Sequence, residues 1–311
     1  MNNEEIKIFS PATIANVSCG FDVLGLALDT VGDEMTIRKV LQKGVRITKI
    51  IGQNLPLETH KNVAGVAALA LLAETDCEFG FEIEIDKRIK PGSGIGSSAA
   101  SSAGAVWAIN ELLGKPFSSL DLVRFAMEGE RLASGVAHAD NVAPALFGGF
   151  TLVRSYDPLD IIKINTPSEL FATVIHPQIE IKTSDARNIL KTTVPLKDAI
   201  KQWGNVGGLI SGLYIEDYEL IGRSLEDHII EPIRSILIPA FDTVKKEALN
   251  AGALGCGISG SGPSIFALSK GHETASKVAN AMKLVYDTVG IAYDIHVSKI
   301  NTRGIKNLET T

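Results

Sequence analysis

Pro91-Gly92-Ser93-Gly94-Ile95-Gly96-Ser97-Ser98-Ala99-Ala100-Ser101 follows an alternating run, Phe81-Glu82-Ile83-Glu84-Ile85, and leads into a small-residue segment that continues through Trp107-Ala108-Ile109. Alternation of apolar and charged residues predicts a strand, and the small-residue segment predicts a helix over 98–113. A strand, a glycine-rich turn and a helix start make an anion site, because free backbone N–H groups converge there and the helix dipole favours negative charge. Glycine at 92, 94 and 96 lets the backbone curl tightly and lets a phosphate approach without meeting a Cβ. Ser97 and Ser98 are expected to cap the helix or to offer a hydroxyl to phosphate or Mg²⁺. The plainer reading is a tight turn with an N-cap.

Known phosphate loops narrow the choice. A Walker loop needs G-x-x-x-x-G-K-S/T, and the Gly-Lys pair nearby, Gly114-Lys115, runs into Pro116. Gly94-Ile95-Gly96-Ser97-Ser98-Ala99 and Gly255-Cys256-Gly257-Ile258-Ser259-Gly260 both fit the dinucleotide pattern G-x-G-x-x-G/A. Neither has its context of a first strand, an opening helix and an acidic residue about twenty positions later. The second follows a helical segment, Phe241 to Leu249, and leads into an apolar strand, Pro263 to Leu268.

Pro91 to Ala100 resembles the Pro-x-x-x-Gly-(Leu/Ile)-Gly-Ser-Ser-Ala motif of the GHMP kinases. Ser10-Pro11-Ala12-Thr13-Ile14-Ala15-Asn16-Val17-Ser18-Cys19-Gly20-Phe21-Asp22-Val23-Leu24-Gly25 resembles that family's first motif, and Gly255 to Ser264 its glycine-rich third. His138-Ala139-Asp140-Asn141-Val142-Ala143-Pro144 and Glu231-Pro232-Ile233-Arg234 are similar to its homoserine-phosphorylating branch in particular. The resemblance runs from residue 10 to about 268. It implies an α+β fold of two domains: an N-terminal nucleotide domain, 1–165, and a C-terminal ferredoxin-like domain, 166–311, with the site in the cleft between them. It further implies ATP and Mg²⁺ as cofactors, L-homoserine as the small-molecule substrate, and a homodimer, for which the sequence carries no signature of its own. Two alternatives stay open: another GHMP kinase with an acidic acceptor such as mevalonate or shikimate, and an inactive binding module.

Bulk composition agrees with a globular enzyme. The chain has 311 residues, 45% hydrophobic and 21% charged, with a net charge of −6. That balance argues against nucleic acid, where affinity comes from Lys and Arg on phosphates. Three cysteines, Cys19, Cys77 and Cys256, lack metal-ligand spacing and favour a reducing compartment. The first residues lack a basic start and an apolar core, and the longest apolar run, Val63 to Ala73, is far short of the roughly 18 residues of a membrane span. A cytoplasmic protein is expected. Short strands are expected at 5–9, within 22–50, at 151–154, 161–164, 171–175, 264–268 and 293–299. Helices are expected near 62–75, 119–133, 198–213, 217–228, 239–251 and 272–286. Ser118 and Asp121 suggest a capping box.

Phosphoryl transfer asks for a phosphate cradle, a metal ligand or two and a clamp for the acceptor. Glu130 lies about 80° round its helix from Leu122, so its carboxylate is either a rim charge or a ligand aimed into the cleft. The resemblance assigns Ser98 and Glu130 to Mg²⁺, and residues 91–101 with Gly260, Ser261 and Gly262 to the nucleotide. It assigns Asn16, Asp22, His138, Asp140, Asn141, Thr183, Arg187 and Arg234 to the acceptor. Arginine suits a carboxylate through its planar donor fork, and Asp22 can pair with an ammonium, although Asn16 and Asp22 also read as turn residues. A Ser-His-Asp reading of His138 and Asp140 lacks a nucleophile elbow, and a zinc reading lacks a second histidine nearby. A structural histidine is the other reading. Asn141 stands where mevalonate-type relatives carry a basic Asp, and Cys19 where many relatives carry proline. The resemblance therefore implies transfer by positioning, with the proton leaving late to phosphate, and leaves Asp140 as the candidate base.

Overall fold

The computed structural model of the chain describes residues 4–181 and 183–308. Strand β1 (Glu5–Ala15) runs antiparallel to the 17-residue β2 (Leu24–Val40). After β3 (Gly44–Ile51) the chain crosses through α1 (Val63–Leu72) to β4 (Gly80–Asp86), which lies parallel to β3 and antiparallel to β2. Helices α2 (Ser97–Leu112), α3 (Ser119–Ser134) and α4 (Val142–Phe147) follow, then β5 (Phe150–Tyr156) and β6 (Leu159–Ile164) extend the sheet from β2.

The second sheet begins at β7 (Leu170–Pro177). Helices α5 (Thr183–Asn188), α6 (Leu196–Ile215), α7 (Tyr218–Ser224), α8 (Glu231–Arg234) and α9 (Phe241–Asn250) lead to β8 (Gly255–Ile258) and β9 (Ile265–Lys270), and α10 (His272–Val289) leads to β10 (Tyr293–Lys299). Its strand order, β10-β7-β9-β8, is wholly antiparallel. Strand–helix–strand–strand–helix–strand connectivity with that order is the ferredoxin-like arrangement. The chain then returns, and β11 (Lys306–Asn307) pairs with β1 in the first sheet.

Two long strands serve two cores. Ile6, Ile8, Met35 and Ile37 pack under α1, α2 and α3. Between Pro11 and Thr13 the partner in β2 jumps from Gly32 to Ala27, and the extra residues in β2, odd in number, move its later side chains to the other face. Beyond it Ala12 and Ile14, with Leu24, Leu26 and Leu28, join a core shared with Leu170, Ala172, Val174 and Phe266 of the second sheet. Ile175, Ile265 and Ala267 face the opposite way, onto a third core with α9 and α10. All of β7 is buried, as a strand covered on both faces must be. The second of these cores welds the two sheets together.

The helices fall near the expected positions. Ser118 caps α3 with the full capping box, and Asn62 caps α1. The expectation of only short strands from 5–9 onward is corrected, because β1 continues through Ser10-Pro11-Ala12-Thr13, which reads as a loop until the bulge is seen. Helices α4 and α5 and strand β8 carry no local signal strong enough to be read. Among the described residues no helix is long and apolar enough to cross a membrane.

Candidate active site

The loop after β4 turns into α2 with φ of 72°, 83° and 70° at Gly92, Gly94 and Gly96. A Cβ on Gly94 would come within 2.6 Å of the Gly262 carbonyl oxygen, and one on Gly96 would overlap the Thr13 hydroxyl. Crowding by the protein itself, as well as room for a ligand, requires glycine there. The expectation that Ser97 or Ser98 caps α2 is corrected. The N-cap is Gly96, which offers no side-chain acceptor, and the Ser97 hydroxyl donates instead to the Ile89 carbonyl at 2.9 Å. The first-turn N–H groups of α2 therefore have no side-chain cap, the condition for binding an anion.

This helix start opens on a cavity of about 510 Å³. Pro91, Gly92, Gly94, Gly96, Ser97, Ser98 and Ser101 line it. Ser93, Ile95, Ala99 and Ala100 are buried in the body of the protein. The third motif braces the loop from the other lobe, with Ser259 Oγ donating to the Gly94 carbonyl at 2.8 Å and the Ser264 N–H to the Ser93 carbonyl at 3.2 Å. Gly260 and Ser261 reach the cavity, whereas Gly262 stands behind Gly94.

Glu130 resolves the choice between rim charge and inward carboxylate. It is only 8% exposed, it lines the cavity beside Ser98, and its Oε1 has no hydrogen-bond partner. Burial pushes its carboxyl up to about 7, opposed by the Ser98 hydroxyl and the Lys87 ammonium. Among the described residues no three His, Cys, Asp or Glu side chains gather as a metal cluster. One carboxylate and one hydroxyl nevertheless fit Mg²⁺, which keeps several waters and shares phosphate oxygens.

The acceptor-side residues converge at the other end of the cavity. Arg187 of α5 donates through Nη2 to both Asp22 oxygens, at 2.9 and 3.0 Å. Arg234 of α8 is buried; its Nε donates to the Ala186 carbonyl at 2.9 Å and its Nη1 to that of Gly260 at 3.2 Å. Both guanidiniums stack on Phe21, at 5.5 and 5.0 Å from the ring centre. Burial and the neighbouring Arg187 lower the Arg234 pKa to about 10, so it stays charged. His138 lines the wall with Nε2 unpartnered and Nδ1 3.9 Å from Asp22. Burial first, and then the two arginines, push its pKa down against the pull of Asp22 and keep the ring neutral. Asp140 is 4% exposed, and burial, with repulsion from Asp22 and Glu130, lifts its carboxyl to about 7. Asn141 accepts from the Thr13 hydroxyl at 2.7 Å. Thr183 begins α5, but its side chain lies outside the described residues.

Asn16 is a brace as much as a lining residue. Its Nδ2 donates to the Gly260 carbonyl at 2.7 Å and its Oδ1 accepts from the Asp22 N–H at 3.0 Å. Asn16, Val17, Ser18 and Asp22 all have positive φ, between 42° and 70°. Left-handed backbone costs about 1–2 kcal/mol per residue, and such strain collects where a loop must aim a side chain.

Several contributors carry no motif. Lys87, only 2% exposed and lining the cavity, ion-pairs with buried Asp33 and donates to the Ser97 carbonyl at 2.7 Å. Asp33 in turn accepts from the Arg88 and Ile89 N–H groups, each at 2.9 Å. Burial lowers the Lys87 pKa, opposed by Asp33 and Glu130. Neither residue carries a local signal, since Asp33 stands inside β2 beside Glu34 and Lys87 stands between Asp86 and Arg88. Tyr156 Oη donates to the Asp22 carbonyl at 3.2 Å and accepts from the Ala139 N–H at 3.3 Å, tying two acceptor loops. Leu55, Pro56, Asn62 and Val63 line the remaining wall beside the phosphate loop.

An α+β lobe and a ferredoxin-like lobe that meet over an uncapped helix start define the class of two-lobed small-molecule kinases. Residues 61–149 match the family model described as the GHMP kinases N terminal domain, and residues 209–288 the GHMP kinases C terminal. The chain belongs to the GHMP kinase family. It is 48% identical over 317 residues to a homoserine kinase of Chlorobaculum tepidum, covering 97% of this chain and 98% of the relative. A homoserine kinase of Methanococcus vannielii is 41% identical, covering 91% and 94%. Among solved structures, a homoserine kinase from Cytophaga hutchinsonii superposes with a TM-score of 0.95 at 56% identity, covering 98% of each chain. Mevalonate kinase of L. major, at 15% identity and a TM-score of 0.71 over 94% of this chain and 96% of that one, shares the fold alone.

Proposed function

We propose that the chain transfers the γ-phosphoryl group of ATP to the side-chain hydroxyl of L-homoserine, giving O-phospho-L-homoserine and ADP. The observation that carries this is the pairing, in one cavity of about 510 Å³, of the α2 start with the Asp22, Arg187 and Arg234 cluster. The names of the full-length relatives support the same acceptor.

In this reading the first turn of α2 and the glycines of 91–101 hold the phosphates, with Gly260, Ser261 and Gly262 supporting the loop from the second lobe. Leu55, Pro56 and Val63 offer apolar surface for the nucleoside. Ser98 and Glu130 would hold Mg²⁺, which when bound neutralises charge on the phosphates. Lys87 adds a fixed positive charge below the loop. The homoserine oxygen attacks the γ-phosphorus as the bond to the ADP oxygen breaks. Its proton passes to Asp140, whose raised pKa suits a proton acceptor near neutrality, or late to the transferred phosphate.

Substrate entry is an exchange of ions. Asp22 and Arg187 neutralise each other at the cavity wall. A zwitterionic amino acid can replace both partners, its ammonium on Asp22 and its carboxylate on Arg187 and Arg234. Mevalonate brings only the carboxylate and would leave Asp22 without its cation, which disfavours it. The lobes divide at 165/166 in this proposal. The three cysteines are unpaired, which supports a cytoplasmic setting, and the homodimer implied by resemblance is read by light scattering.

The test is Mg-dependent ADP release with L-homoserine, D-homoserine, serine, threonine, mevalonate and shikimate. Turnover with L-homoserine is expected to exceed the others by orders of magnitude. Equal turnover with mevalonate would overturn the Asp22 assignment, and no turnover with any acceptor would overturn the kinase reading.

A further inference from the structure

We propose that Gln202 is a positioning residue that holds the two halves of the acceptor clamp in register. This rests on the acceptor reading of Asp22 and Arg234. Gln202 stands on α6, touches no part of the cavity lining, and is 8% exposed. Its Nε2 donates to the Cys19 carbonyl at 2.9 Å and to Asp227 Oδ1 at 3.0 Å, and its Oε1 accepts from the His228 N–H at 2.9 Å. One amide therefore joins the 16–22 loop to the 227–234 segment.

Both of those segments need an outside tether. The first holds Asn16, Val17, Ser18 and Asp22 in left-handed backbone, an arrangement that relaxes unless neighbours fix it. The second ends in α8, a helix of four residues with Pro232 in its first turn, far below the length at which a helix sustains itself. Asp227 organises its start by accepting from the N–H groups of Ile229, Ile230 and Glu231, at 2.9, 2.9 and 3.0 Å. Gln202 anchors that aspartate to the Cys19 carbonyl. The gap so fixed is the one Phe21 fills, beneath the guanidiniums of Arg187 and Arg234. Asn205, one turn further along α6, donates to the Glu226 carbonyl at 3.0 Å, just outside the 227–234 segment, and bonds to neither Cys19 nor Asp227.

The experiment compares Gln202→Leu, Asp227→Asn, Asn205→Ala and Arg234→Leu in steady-state kinetics with ATP and L-homoserine, beside thermal melts. Gln202→Leu keeps the volume and removes all three hydrogen bonds. It is expected to raise KM for L-homoserine by about tenfold or more while KM for ATP stays within about twofold. Asn205→Ala should leave both constants unchanged. A fall in melting temperature with neither KM altered, or a parallel rise in both, would overturn the positioning role. Asp227→Asn carries the same split if Gln202→Leu does not fold. Arg234→Leu separates the two claims: if it leaves KM for homoserine unchanged, the acceptor reading itself fails. If it raises that KM and Gln202→Leu does not, only the positioning proposal fails.

Discussion

Replacing Asp140 by Asn should stabilise the ligand-free protein above neutral pH and damage it as an enzyme. The Asp140 carboxyl titrates near 3.8 in an unfolded chain and at about 7 in the folded one, chiefly because it is buried and secondarily because Asp22 and Glu130 repel its charge. Between those values the folded state binds the extra proton. Its contribution to stability is complete below pH 4, declines as pH rises towards 7, and is gone above that. A shift of about three units is worth about 4 kcal/mol as an upper limit. The Asn amide is itself a buried polar group, so about 1–3 kcal/mol should be recovered. Urea melts of wild type and Asp140→Asn, without nucleotide or divalent metal, at pH 5, 6, 7 and 8.5 measure this. The variant should be the more stable at pH 8.5, with a gain that shrinks steadily towards pH 5. A difference independent of pH, or a variant less stable at pH 8.5, would refute the reasoning. Kinetics complete the test: a proton acceptor should lose about 10²–10⁴ in kcat, whereas a binding group should chiefly raise KM for homoserine.

Glu130→Gln should leave the melting curve intact at pH 6 and abolish Mg-dependent ADP release; near-normal turnover would remove Glu130 from the metal site. Gly94→Ala should raise KM for ATP by about tenfold or more with little change in KM for homoserine, because its Cβ would sit 2.6 Å from the Gly262 carbonyl and push the phosphate loop off its brace. Asp22→Asn removes the charge on which the substrate ammonium is proposed to rest and should raise KM for L-homoserine by about tenfold with KM for ATP unchanged, as read by coupled assay.

What the sequence disclosed depended on how local the cause was. Gly92, Gly94 and Gly96 announce a left-handed turn by composition alone, and Ser118 with Asp121 announces a cap, since both effects act within a few residues. The direction of Glu130 was only half legible: helical periodicity put it at the edge of a stripe, but the choice between solvent and cleft waited on how α3 packs beside Ser98 and Lys87. Lys87 and Asp33 were not legible, because their pairing spans 54 residues and each reads as an ordinary charge among other charges. Gln202 was hidden for the same reason, 183 residues from the Cys19 carbonyl it holds.

The same distance dependence explains why the cavity forms where it does. The shared apolar core joins the sheets without help from the site, so the polar residues beside it are free to satisfy one another around the cleft. Thr13 meets Asn141, Asn16 meets Gly260 and Asp22 meets Arg187, across 128, 244 and 165 residues. The first two are braces, in which one partner is a buried backbone or motif group. The third differs: each partner is a full charge, partly open to the cavity, and each can be given the opposite ion by one zwitterion. A permanent brace is shut away from water, as Lys87 and Asp33 are. A pair kept partly solvated at the cavity wall is weaker, and under the proposed function that weakness is what allows a zwitterionic substrate to take it apart.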